Sequence, residues 1–109
     1  DIVTTSTDAA AANFGLDEHP AASDRYARAT EFVEAAIGLW DSWEDDALVV
    51  DKEAGIYADP DRIHRVDARG EHLRVAGPLN SPRSPQGRPV LVQAGSSNDG
   101  RAFAGRYAE

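Results

Sequence analysis

With 109 residues, 41% apolar and 28% charged, the chain has the size and composition of one soluble globular domain. Zero cysteines exclude disulfides and thiolate metal sites, no apolar run is long enough to span a bilayer, and the N-terminal residues lack the pattern of a secretory signal, so the expectation is a cytoplasmic, metal-free protein. The net charge of -8 is uneven: residues 1–61 hold fifteen acids against three bases, whereas residues 62–88 hold six arginines against Asp67 and Glu71. That basic segment contains no Phe, Tyr or Trp to stack on bases, which argues against nucleic acid as a partner.

In chain order, Ile2-Val3-Thr4-Thr5 reads as the end of a strand, followed by a short helical turn through the alanines at 9–12, capped by Ser6 or Asp8 and ended by Asn13 and Gly15. The strongest helix signal runs from Ser23 or Asp24 to about Trp43. Tyr26, Ala29, Val33, Ala36, Ile37 and Trp40, with Phe32, Leu39 and Trp43, give it a broad buried face. The run Glu44-Asp45-Asp46 then lies where the helix dipole disfavours negative charge, so the helix stops near Trp43. Residues 47–61 read as an irregular excursion with turn formers at Gly55 and Asp59-Pro60-Asp61. A hairpin is expected from residues 63–66 and 72–75 around Asp67-Ala68-Arg69-Gly70.

Pro78, Pro82, Pro85 and Pro89 then punctuate an extended connector. Pro89-Val90-Leu91-Val92-Gln93 has the continuous apolar character of a strand buried on both faces of a parallel sheet. Asn98 or Asp99 caps a last helix from Gly100 onward, with Phe103, Ala104 and Tyr107 on its inner side. The order strand, helix, inserted hairpin, strand, helix is an alternating α/β pattern.

Chemistry concentrates in Gln93-Ala94-Gly95-Ser96-Ser97-Asn98-Asp99-Gly100, between the apolar run and the last helix. Gly95 permits close backbone approach, Ser96 and Ser97 offer hydroxyls, and the first N–H groups of the helix carry partial positive charge, which together suit a phosphate. The same string is also ordinary helix-capping chemistry. Tyr26 could reach an anion from the first turn of the long helix or could be plain core. Thr4 ends its presumed strand at the edge where sheets and barrels bind ligands, or is there for β-propensity. No pair of carboxylates has a spacing that marks a general acid and base, and the Gly-x-Ser-x-Gly elbow of hydrolases is absent. His19, His64 and His72 show no metal-ligand spacing.

The apolar set is rich in alanine and poor in large side chains, and the sequence opens on Asp1 directly in a β-branched run. Both features read as a fragment entered in mid-element.

Several segments together resemble the flavin-dependent monooxygenases of the bacterial luciferase-like class, in the branch that acts on nitrilotriacetate, dibenzothiophene sulfone and long-chain alkanes. They are Ile2-Val3-Thr4-Thr5, Asn13-Phe14-Gly15, Arg25-Tyr26-Ala27, Leu39-Trp40-Asp41-Ser42-Trp43, His64-Arg65-Val66-Asp67, Gly70-Glu71, Gly77-Pro78-Leu79-Asn80, Pro82-Arg83-Ser84-Pro85-Gln86-Gly87-Arg88-Pro89 and Gln93-Ala94-Gly95-Ser96-Ser97. The likeness covers almost the whole chain. It implies an α/β fold that is a partial (β/α)8 TIM barrel, its middle section. Residues 1–109 would be a fragment of one barrel domain, and residues 44–88 an insertion with a β-hairpin plus connector. A complete barrel takes roughly 250 residues.

The resemblance also implies a two-component enzyme using reduced FMN and O2 to oxidise a small organic substrate. The FMN would be reduced by a separate NAD(P)H-dependent flavin reductase, and the full-length protein would be a homo-oligomer. Cofactor contacts carried over are Thr4, Tyr26, Ala94, Gly95, Ser96 and Ser97, with no catalytic acid or base assigned. Ala22 stands where many members have a flavin-contacting histidine. The hairpin region, residues 55–77, is a candidate lid or substrate-side wall. Two other readings are a non-catalytic truncated barrel fragment and a deazaflavin-dependent oxidoreductase on the same barrel.

Overall fold

The apolar periodicity after Pro20 becomes α2, Ala22–Trp40, in a computed structural model that describes all 109 residues. Ala29, Val33 and Ala35 are buried on it, whereas Phe32, expected on the inner face, is exposed because it points one helical step away from Val33. The helix ends three residues before the expected Trp43. Asp41 N–H closes the last α-type bond to Ile37, and Ser42 N–H then bonds Leu39 in a tighter turn. The chain forms two compact units, residues 1–30 with 90–109, and residues 31–89, and α2 contributes to both.

In the first unit, α1 spans Asp8–Asn13 as expected, but its N-cap is Thr7 and no side chain caps it, neither Ser6 nor Asp8. Neither expected strand forms. Residues 1–7 and 89–93 are extended without a ladder, joined by one bond from Ile2 N–H to Val92 O (2.8 Å), and Glu109 N–H bonds Leu91 O (3.0 Å). Leu91 is buried, but Val90 and Val92 are about half exposed, so this segment is not covered on both faces. Single bonds on either side do not make the repeated pairing a strand requires. Next, α3 spans Asn98–Tyr107 and starts two residues earlier than expected. Its cap is Ser97, whose Oγ accepts from Gly100 N–H (3.0 Å), in place of Asn98 or Asp99. Phe103 is buried on α3, with ring centroids 5.7 Å from Tyr26 and 4.9 Å from Tyr107.

In the second unit, residues 47–61 contain a hairpin rather than an irregular excursion: β1, Leu48–Asp51, pairs antiparallel with β2, Ile56–Ala58. The Asp51 carboxylate builds its turn by accepting the N–H groups of Glu53 and Ala54 at 3.0 Å each. A bulge between Leu48 and Asp51 places Val50 at φ 51, in the left-handed region that a β-branched residue rarely enters. Pro60–Arg62 follows as a 3-10 turn capped by Asp59.

The second hairpin is shifted along the chain: β3, Ala68–Arg69, pairs with β4, Arg74–Val75, and the turn falls at residues 70–73 instead of 67–70. Ile63 and His64, expected in that ribbon, pair instead with the chain leaving α2, through Ile63 opposite Trp43 and His64 N–H to Ser42 O (2.7 Å). Gly38 lets Val66 pack on α2, since a Cβ there would lie 2.7 Å from Val66 Cγ1. The proline-punctuated connector forms no helix or strand, as expected, and is crossed by one bridge between Ser84 and Gly87. The architecture is α/β, with three α-helices and two separate two-stranded antiparallel sheets.

The residues that follow α2 anchor that connector. Ser42 is buried, donates its hydroxyl to Leu39 O and accepts Leu79 N–H (3.0 Å), while Trp43 donates its indole N–H to Leu79 O (2.8 Å). Both backbone groups of Leu79 are thereby satisfied by two consecutive side chains. Asp41 accepts from Arg83 (2.9 Å) and Arg88, and the bond from Arg88 foremost, with the charge of both arginines, holds its carboxyl below the usual aspartate value.

Candidate functional site

The first unit brings Tyr26 against the loop at residues 93–97. Gln93 bridges them: its Oε1 accepts Gly95 N–H (2.9 Å), and its Nε2 donates to the Tyr26 hydroxyl (3.3 Å). Gly95 and Gly100 are required by space. A Cβ on Gly95 would meet Gln93 Nε2 and lie 2.6 Å from the Tyr26 hydroxyl, and one on Gly100 would lie 2.8 Å from that hydroxyl and 3.0 Å from the Gly95 backbone. Phe103 packs on the phenol ring, and Gln93, Gly95 and Gly100 gather around its hydroxyl.

Around that meeting point the donors outnumber their partners. The Tyr26 hydroxyl accepts from Gln93 and still has its own proton to give. Ser96 is exposed and its hydroxyl makes no bond within the chain, and the N–H groups of Ser96, Ser97, Asn98 and Asp99 have no intrachain acceptor. Ser97 Oγ accepts from Gly100 N–H as the helix cap and keeps its hydroxyl proton. Free amides at the start of a ten-residue helix, with hydroxyls beside them, suit an oxyanion. Ala94, exposed and without a polar side chain, adds only its backbone.

Thr4 is half-buried and makes no hydrogen bond to Tyr26 or to the loop. The Ile2 to Val92 bond sets the two segments side by side two residues before Thr4 and Ala94. The structure therefore brings Tyr26, Gly95, Ser96 and Ser97 together and leaves Thr4 outside their hydrogen bonds. Sequence reasoning placed Gln93 and Gly100 at the two ends of the chemistry-bearing stretch but gave neither a role in the site. A polar residue closing an apolar run, and a glycine in the first turn of a helix that pays for it in propensity, are the signals that point to them.

A family model described as luciferase-like monooxygenase matches residues 2–109. The chain belongs to that family. It is 56% identical over 108 residues to dibenzothiophene-sulfone monooxygenase of Rhodococcus erythropolis, and 53% identical over 108 residues to nitrilotriacetate monooxygenase component A of Aminobacter aminovorans; each alignment covers 99% of this chain and 24% of the relative. The chain thus spans about a quarter of the length of these luciferase-like relatives. Among solved structures, DmoA from Hyphomicrobium sulfonivorans superposes with a TM-score of 0.86 at 39% identity, over 98% of this chain and 23% of that one. A riboflavin lyase solved with modified FMN and riboflavin superposes with a TM-score of 0.83 at 50% identity, over 92% of this chain and 22% of that one.

Proposed function

We propose that this chain is part of a two-component FMN-dependent monooxygenase, and that residues 93–97 with Tyr26 hold the phosphate of FMN. The observation that carries the reading is the cradle at Gly95 and Gly100, closed to any Cβ by the Tyr26 hydroxyl and bordered by amides and hydroxyls without acceptors. Family membership supplies the reaction class, and the modified FMN in a structure 50% identical to this chain supports the cofactor.

In this reading Ser96 and Ser97 donate their hydroxyls to phosphate oxygens, the first N–H groups of α3 add partial positive charge, and Tyr26 donates its phenol proton. Thr4 and Ala94 border the same ligand. Bound reduced FMN supplies the reactivity toward O2, and the surrounding residues orient it and exclude water. Residues 1–109 form a section of a (β/α)8 barrel, with residues 44–88 as an excursion between its units. A separate NAD(P)H-dependent flavin reductase delivers the reduced cofactor, the substrate is a small organic molecule, and the full-length enzyme is a homo-oligomer in the cytoplasm.

The test uses the full-length gene product with FMN, a flavin reductase, NADH and O2. Substrate-dependent oxygen consumption that disappears when FMN is omitted is expected across a panel of sulfones, aminopolycarboxylates and alkanes. A protein that neither binds FMN nor consumes oxygen with any of them contradicts the assignment.

A further inference from the structure

We infer that the second unit carries a binding site of its own, for a small organic anion with a flat apolar body, at a pocket of about 240 Å³ between Trp40 and the connector. The pocket is lined by Trp40, Leu79, Pro82 and Pro89 on its apolar side and by Ser81, Arg83 and Ser84 on its polar side.

Arg83 is a fixed donor. Its Nη1 bonds Asp41 at 2.9 Å, and Asp41 is itself anchored by Arg88. Asp45 lies 3.3 Å from Nε but away from the N–H direction, so Nε is buried without a hydrogen bond and the carboxylate, 91% exposed, adds little. The Nη2 end makes no hydrogen bond within the chain, and neither do the hydroxyls of Ser81 and Ser84.

A guanidinium edge has no acceptor capacity, and its two unused N–H bonds, with Ser81 and Ser84 on the same pocket lining, select a ligand rich in acceptors. The indole and proline walls select a flat apolar body next to that head. A carboxylate, sulfinate or sulfonate on a single ring fits both demands and the volume. Arg83 is held by Asp41, and Leu79 on the facing wall by Ser42 and Trp43, before any ligand arrives.

Calorimetric titration of the full-length gene product, saturated beforehand with FMN, with benzoate and with benzyl alcohol tests this site separately from the phosphate site. Benzoate is expected to bind at least about tenfold more tightly than its neutral counterpart, as one charge-assisted bond implies. Arg83→Lys, which keeps the charge but loses the guanidinium edge, is expected to shrink that preference severalfold, and Ser84→Ala to weaken benzoate severalfold while leaving benzyl alcohol unchanged. If Arg83→Lys does not fold, the benzoate preference of the wild type and the Ser84→Ala effect decide. Equal binding of the two probes, or benzoate binding untouched by Ser84→Ala and Arg83→Lys, overturns the inference. Failure here with intact FMN binding leaves the phosphate-site reading standing, and loss of FMN binding alone leaves this one standing.

Discussion

Single side chains in this chain do their structural work by capturing backbone groups far away in sequence. Ser42 and Trp43 take the N–H and the C=O of Leu79, and both are buried where water does not substitute easily. Ser42→Ala and Trp43→Phe should each lower stability by about 1–3 kcal/mol, since each strands one backbone group of Leu79. Urea unfolding of the full-length protein measures it, and unchanged midpoints for both variants would contradict the anchoring role.

At the candidate site the relevant residues are glycines. Gly100→Ala would press a methyl 3.0 Å from the Gly95 backbone, which has no flexible end to yield, so the loop must move. We expect FMN affinity to fall by about tenfold or more, of the order of one charged hydrogen bond lost. An unaffected FMN dissociation constant would show that the loop geometry is irrelevant to the cofactor.

Among the elements, the β3–β4 hairpin is fastened to α2 by one carboxylate. Glu31 accepts the N–H groups of Glu71 (2.8 Å), His72 (2.9 Å) and Leu73 (2.9 Å), and a Cβ on Gly70 would collide with it. Desolvation works to raise its pKa, yet the backbone bonds from His72, Glu71 and Leu73 prevail and hold it below its ordinary value of 4.5. A depressed folded pKa means that the fastening is complete above 4.5 and is lost as pH falls through the folded value. Amide-exchange protection at residues 71–73 should therefore drop selectively under acid, and Glu31→Gln and Gly70→Ala should show the same loss at neutral pH. Protection that is independent of pH and of both substitutions would refute the fastening.

The elements also show what a sequence can reveal. The long helix was legible because Ala29 and Val33 repeat at helical spacing, and the phosphate-type loop because Gly95, Ser96 and Ser97 precede a helix start. The β1–β2 hairpin was not, since all four residues of β1 are exposed and no polar alternation marks it, and its turn depends on the side chain of Asp51. Residues 89–93 have the composition of a doubly covered strand, but strand formation depends on neighbouring chains that composition does not describe. Gln93 and Gly100 join Tyr26 only through tertiary approach across 67 residues or more.

For the whole molecule, family membership and length point the same way. The chain matches the luciferase-like monooxygenase model from residue 2 to 109 and covers about 24% of its relatives. On the proposed reading, 109 residues supply only part of the walls that a cofactor cavity needs, so the isolated chain should show no turnover with reductase, NADH, FMN and O2. Substrate-dependent oxidation by the isolated chain would contradict that.

The central claim is that Tyr26 and the loop at residues 93–97 recognise a phosphate, and riboflavin, which lacks that phosphate, isolates it. Equilibrium titration of the full-length protein with FMN and with riboflavin should show FMN binding weakened about tenfold by Ser96→Ala and by Tyr26→Phe, with riboflavin binding unchanged in both. Equal FMN affinity in the wild type and both variants, or equal weakening of FMN and riboflavin, would place the phosphate elsewhere.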